Sequence, residues 1–306
     1  MANPSCKNSA LAPTLAREGM RYWRLAPDAR LRPWILCYWM VEPDEHTAFQ
    51  KPDDKDRQQL LIPDGHAELV FRLEGSFTRW RVDAPAQRTQ MRTSYVIGGR
   101  SHSVLTHTPG GLRLAGVKLD PRALRALLRM PLTDFRDVTV SCADAGRPAL
   151  LELEDQVVNL RSVADLPAVC DRFFLQHLGA LAADEPAIEP LLQRIHATGG
   201  TQSILQCARE QHIDPRTLER HFLARIGMTP KQYARIVRFK RSYLLLGASQ
   251  AGEGRAHLEP YYDESHFNRE FRHFLGTSPW CWRRDAATFR TTVADHLLEA
   301  ELRQAG

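Results

Sequence analysis

Two stretches of the chain place hydrogen-bonding side chains at matching spacing. In "DPRTLERHFLARIGMTP", residues 214–230, Arg216, Thr217, Glu219 and Arg220 fall between Asp214 and Phe222. In "YYDESHFNREFRHFLGTSP", residues 261–279, Glu264, Ser265, Asn268 and Arg269 fall between Asp263 and Phe271. An offset of 49 residues pairs Asp214 with Asp263, Arg220 with Arg269, Phe222 with Phe271, Gly227 with Gly276 and Pro230 with Pro279. The chemistry such side chains offer is recognition. Arg presents a planar fork of donors, Asn donates and accepts, and Glu accepts.

Short helices must carry these groups. Asp214 is a good N-cap and Pro215 suits the first helical position, while Leu218 and Phe222, four apart, pin one face to a core. In the second copy Asp263 or Ser265 caps, and Phe267 and Phe271 take the buried face. Each helix keeps one apolar edge and one polar edge, the geometry by which a recognition helix enters the major groove of DNA. "TPKQYARIVRFKRSYLLL", Thr229 to Leu246, is an unbroken amphipathic pattern and predicts one long helix between the copies. A stiff spacer would let two units read successive major-groove faces, about 34 Å apart, from one side of a duplex. A stacked-repeat scaffold would also duplicate a helical pair. Two copies with polar outer edges fit that reading poorly.

Charge follows the duplication. Residues 201–290 hold 15 Lys and Arg against 9 Asp and Glu, a net +6, and the rest of the 306-residue chain carries −1. The excess points to a polyanionic partner. No run approaches the roughly 20 apolar residues of a membrane helix. The start lacks a signal-peptide layout, so the expected setting is cytoplasmic, with no membrane partner.

Positions 20–119 read as strands and turns. "QLLIPDGHAELVFRL" carries a hairpin-like signal at Pro63-Asp64-Gly65, and Gly98-Gly99 and Pro109-Gly110-Gly111 break further β-prone runs. This predicts a small barrel or sandwich, with an exposed loop at 42–57. At "LDPRALRALLRMP" the period turns helical, with Asp120 as cap and Leu124, Leu127 and Leu128 on one face. Residues 148–182 are helical in pattern, a connector either packed on the β domain or used for self-association. Further on, Ile188, Leu191, Leu192 and Ile195 make one stripe, and Ile204, Leu205 and Ala208 begin the next. The fold class is α+β, with a flexible tail (1–19), a β-rich domain (20–145), a helical connector (146–185), an all-α region (186–290) and a C-terminal helical tail (291–306).

Enzyme chemistry finds little to build on, and we expect neither catalytic residues nor a cofactor. His66, His102 and His107, with a carboxylate such as Glu68, are the candidates for a metal site. His102 and His107, five apart, would face opposite sides of a regular strand, so no metal is expected. Cys6, Cys37, Cys142, Cys170, Cys207 and Cys281 are scattered without metal-ligand spacing and read as reduced, mostly buried fillers.

"DPRTLERHFLARIGMTPKQYARIVRFKRS" and "YYDESHFNREFRHFLGTSPWCWR" closely resemble the two helix-turn-helix units and linking helix of the AraC/XylS family of bacterial transcription regulators. "IPDGHAELVFRL" and "GVKLDPRALRALL" more weakly resemble the cupin-like N-terminal domain of some members. The resemblance implies a regulator of double-stranded DNA whose N-terminal domain senses a small-molecule effector or forms a homodimer, and which meets RNA polymerase if it activates. It implies base-reading positions at Arg216, Glu219 and Arg220 in the first unit and Glu264, Ser265, Asn268 and Arg269 in the second. Arg suits guanine, Asn adenine and Glu the cytosine amino group. Thr217 and His266 are phosphate-contacting or orienting candidates, and His266 is equally well a half-buried helix residue. A ligand-binding or protein-interaction protein with a degenerate DNA-binding half is the alternative. One departure concerns "GASQAGEGRAHLEPYYD", where the family has an amphipathic helix ending in glycine. Here Gly252 and Gly254 weaken the helix, Arg255 and His257 replace apolar residues, and Pro260 stands in the glycine's place. An irregular supporting segment is expected over 248–260.

Overall fold

The computed structural model describes residues 14–17, 20–44, 58–108, 111–178, 188–248 and 256–284. The tails at 1–13 and 291–306, Cys6, and most of the loop expected at 42–57 lie outside these residues.

The N-terminal half holds β1 (Leu15–Arg17), β2 (Met20–Leu25), β3 (Ile35–Pro43), β4 (Gln58–Leu61), β5 (Ala67–Glu74), β6 (Phe77–Arg81), β7 (Thr89–Met91), β8 (Tyr95–Ile97), β9 (Val104–His107), β10 (Arg113–Leu119) and β11 (Thr139–Ser141). They form a seven-stranded sheet, β1-β2-β3-β10-β5-β8-β11, and a four-stranded sheet, β4-β9-β6-β7, with antiparallel pairing throughout. The near-continuous apolar run of β3 follows from burial on both faces. Tyr38 and Met40 join the core on the helical side, and Cys37, Trp39 and Val41 join Phe77, Met91 and Tyr95 in another cluster. Gly116 of β10 stands opposite Trp39, whose indole fills the space a Cβ would need.

Helices cover the larger sheet. Helix α1 (Pro121–Leu128) starts as its sequence predicts, with the Asp120 carboxylate accepting from the Arg122 N–H. Helices α2 (Pro148–Val158) and α3 (Leu166–Leu178) bury Leu150, Leu153, Val157, Leu166, Cys170 and Phe174 in the same core as Leu69, Phe71 and Val117. The connector is therefore packed on the β domain, broken by a short turn at 159–165.

The remaining helices are α4 (Glu189–Ala197), α5 (Ile204–Glu210), α6 (Pro215–Ile226), α7 (Pro230–Ala248), α8 (Glu264–Leu275) and α9 (Pro279–Arg284). Three expectations are corrected. Residues 15–17, expected in a flexible tail (1–19), form β1 and pair with β2. The Pro63-Asp64-Gly65 turn does not close a hairpin, because β4 pairs with β9 in one sheet and β5 with β10 and β8 in the other. The turn carries the chain between sheets. Leu205 is 58% exposed, and Cys207 and Ala208 fill the buried side of α5 instead.

Candidate nucleic-acid interface

Helices α6 and α8 are built alike from cap to cap. The Asp214 carboxylate accepts from the Thr217 N–H at 3.0 Å, and that of Asp263 accepts from the His266 N–H at 2.6 Å. Asp263, not Ser265, is thus the second cap. Leu218, Phe222 and Ile226 bury one side of α6, and Phe267, Phe271 and Phe274 one side of α8. Each fully buried ring contributes about 1.5–3 kcal/mol of transfer free energy. Both helices end on a left-handed glycine, Gly227 at φ +82° and Gly276 at φ +68°, a conformation that L side chains adopt only with strain. The duplication read along the chain is thus a duplication in space.

The polar edges are left outward. Arg216, Glu219 and Arg220 are exposed on α6, and Glu264, Ser265 and Arg269 on α8. Thr217 and Asn268 are half-buried. His266 is also half-buried, its ring edge-on to Tyr261 with centroids 5.3 Å apart. Each unit therefore offers guanidinium and carboxylate groups to solvent while its aromatic side is fixed.

Helix α7 connects them. Its 19 residues span about 28 Å at 1.5 Å per residue, near one turn of B-DNA. Phe239 stacks on Phe274 at 4.3 Å and lies edge-on to Phe271 at 6.0 Å. Arg235 donates two hydrogen bonds to the Glu270 carboxylate, at 3.0 and 2.9 Å. Burial raises the Glu270 carboxyl, but the bonds and charge of Arg235 outweigh it and hold the group below its usual range. Sequence reasoning missed this pair, whose partners lie 35 positions apart and carry no pattern of their own.

The first unit is supported by α5, capped by Ser203. In the second, Gly252, Gly254 and Arg255 lie outside the described residues. The described part is a short 3-10 turn, Ala256–Leu258, followed by buried Pro260 and Tyr261. His257, standing where an apolar residue was expected, packs edge-on against Phe267 at 5.2 Å.

The β domain meets both units. Helix α6 packs on α1 and on the 3-10 turn Leu132–Phe135, and a Cβ on Gly227 would stand 2.7 Å from the Leu132 carbonyl oxygen. A Cβ on Gly276 would stand 2.9 Å from Val82. Leu60 and Ile62 enter the helical core. Arg122 of α1 hydrogen-bonds both Asp120 and Glu189 of α4. The histidines considered as ligands face other partners: His66 lies near Asp64, and His102 is 3.0 Å from Asp137. Among the described residues, no three His, Cys, Asp or Glu are gathered as metal ligands would be, and no helix is long and apolar enough to cross a membrane. Cys37, Cys142, Cys170 and Cys207 are buried thiols, and Cys281 is half-buried.

A helix-turn-helix family model matches residues 207–285, and a model for DUF6597, a domain of unknown function, matches residues 23–141. No curated protein matches significantly. Among solved structures, ToxT from Vibrio cholerae O395 is similar at 11% identity, covering 74% of this chain and 95% of that one, with a TM-score of 0.40. ToxT bound to (E)-4-(8-methylnaphthalen-1-yl)but-3-enoic acid is similar at 13% identity, over 74% and 97% of the two chains, with a TM-score of 0.40. The AraC-like transcriptional activator CuxR is similar at 12% identity, over 76% and 87%, with a TM-score of 0.24. At such identities and scores these likenesses fix no residue's role.

Proposed function

We propose, starting from a chain that carries an AraC-type helix-turn-helix domain behind a DUF6597 domain, that the protein is a transcriptional regulator that binds double-stranded DNA sequence-specifically through α6 and α8. The observation that carries this reading is the spatial repeat: two identically capped helices, apolar inside and polar outside, joined by one helix of about 28 Å. In this reading α6 and α8 enter successive major grooves. Arg216, Glu219 and Arg220 read one half-site and Glu264, Ser265, Asn268 and Arg269 the other, with Thr217 on the phosphates or orienting its neighbours. Arg216, Arg220 and Arg269 favour guanine, Asn268 adenine, and the two Glu cytosine.

The same reading divides the chain into an effector or dimerisation domain (20–145), a connector (146–185) and the DNA-binding domain (186–290). A small-molecule effector and a second copy of the chain are the partners proposed for the first, and RNA polymerase is a partner if the protein activates. The test is selection from a random duplex pool with the full chain, followed by titration of the selected duplex at two salt concentrations. Enrichment of a two-part site, with affinity falling steeply as salt rises, is expected. Recovery of no preferred sequence would leave a ligand-binding or protein-interaction role in its place.

A further inference from the structure

Each recognition helix is held at two places. Along its buried side it packs on α7: Phe222 of α6 lies edge-on to Tyr233 at 5.6 Å, and Phe271 and Phe274 of α8 meet Phe239. At its C-terminal end it meets the β domain. A Cβ on Gly227 would stand 2.7 Å from the Leu132 carbonyl oxygen, and a Cβ on Gly99, just after β8, would collide with the terminal methyl of Met228. A Cβ on Gly276 would stand 2.9 Å from Val82, just after β6. The ends of α6 and α8 therefore rest on two separate seats of one domain.

A short segment, residues 98–103, joins the seats. At one end the Gly98 N–H donates to the Phe135 carbonyl at 3.1 Å, tying Gly99 to the turn that carries Leu132. At the other the Val82 N–H donates to the Ser103 carbonyl at 3.1 Å. Between them the Asp137 carboxylate accepts from the N–H and the hydroxyl of Ser101, both at 2.6 Å, and lies 3.0 Å from the His102 ring. Burial raises the Asp137 carboxyl, but His102 and Ser101 outweigh it and hold the group at about 2. Asp137 itself takes a left-handed backbone, φ +61°, which Asp and Asn accept more readily than other side chains. A rod held only along its side can pivot, whereas one held at its side and its end keeps its direction.

We propose that segment 98–103, strapped by Asp137, is a spacing brace: by seating the ends of α6 and α8 it fixes how the two recognition helices stand relative to each other, so that the β domain, together with α7, decides how many base pairs separate the half-sites. The spacing part rests on the function proposed above; the seating part does not. One added base pair moves the second half-site by about 3.4 Å and turns it by about 35°. A braced pair of helices discriminates sharply between such spacings, and an unbraced pair tolerates both.

Gly99→Leu in the full chain is the wedge that tests this. Gly99 lies outside the left-handed region, and a side chain there first meets the end of Met228. Affinity is compared on the selected duplex and on copies lengthened or shortened by one base pair between the half-sites. The unaltered protein is expected to prefer the selected spacing by about tenfold or more. Gly99→Leu is expected to lower that preference about threefold or more, with the bases chosen inside each half-site unchanged, and adding Met228→Ala should restore much of it, as members of one contact do. Asp137→Asn keeps a residue that accepts the left-handed backbone but removes the charge; it touches neither seat, should relax spacing in the same direction, and decides the matter if the wedge does not fold. Unchanged spacing preference in the folded variants, or relaxed base choice with spacing kept, would overturn the brace. If the unaltered protein selects no two-part site, the functional reading fails and amide exchange decides the seating. Exchange at residues 223–228 should then quicken in Gly99→Leu while the β3 and β10 amides keep their protection, and unchanged exchange would overturn it.

Discussion

Replacing Glu270 with Gln should weaken DNA binding without touching a base-reading position. Glu270 sits on the inner side of α8, 9% exposed, and takes both hydrogen bonds of the Arg235 fork. Gln keeps the shape and one acceptor but removes the charge and one of the paired contacts. Hydrogen bonds to charged groups contribute about 1.5–3 kcal/mol. Arg235 is 32% exposed and recovers some hydration, so the expected loss is about 1–2 kcal/mol of folding stability. The sign with pH follows from the lowered carboxyl of Glu270. Its contribution is complete above its ordinary value of 4.5 and is lost as pH falls through the lower folded value. The stability gap between the two proteins should therefore be full at neutral pH and close in acid. Urea unfolding at a series of pH values measures it. Because the pair orients α8 on α7, affinity for a selected duplex should fall by up to about tenfold, the equivalent of 1.4 kcal/mol. The loss should appear as relaxed preference in the half-site read by α8. Equal stabilities at neutral pH, or a loss shared evenly by both half-sites, would refute the reasoning.

Arg220→Ala should cost about 1–3 kcal/mol of binding and relax preference at one base position, as seen by repeating the duplex selection; uniform weakening across sequences would make it a phosphate contact instead. Gly276→Ala should destabilise by about 1–2 kcal/mol for the left-handed backbone alone, plus a clash with Val82. Adding Val82→Ala should relieve the clash but not the backbone cost, and full rescue in denaturant unfolding would show that the conformation is free for alanine.

The recognition units were legible because their determinants are local. A cap such as Asp214 or Asp263 bonds an N–H three residues on, an apolar pair four apart fixes a face, and a glycine after the last turn fixes the end. Those relations lie inside a dozen residues and survive in any surroundings. The helical period of α1, α2, α3, α4 and α7 was legible for the same reason. What the tertiary structure decided lies between residues far apart. A turn signal at Pro63-Asp64-Gly65 specifies a reversal but not a partner, and β4 found β9, more than 40 positions away, rather than β5. Periodicity names an apolar stripe but not what covers it, so Leu205 could end in solvent and the 148–178 helices on the β domain. Single polar residues such as Arg122, Arg235, Asp64 and Glu270 carry no pattern at all. Their meaning is set by desolvation and by the opposite charges that folding brings within reach, and both exist only once the chain is packed.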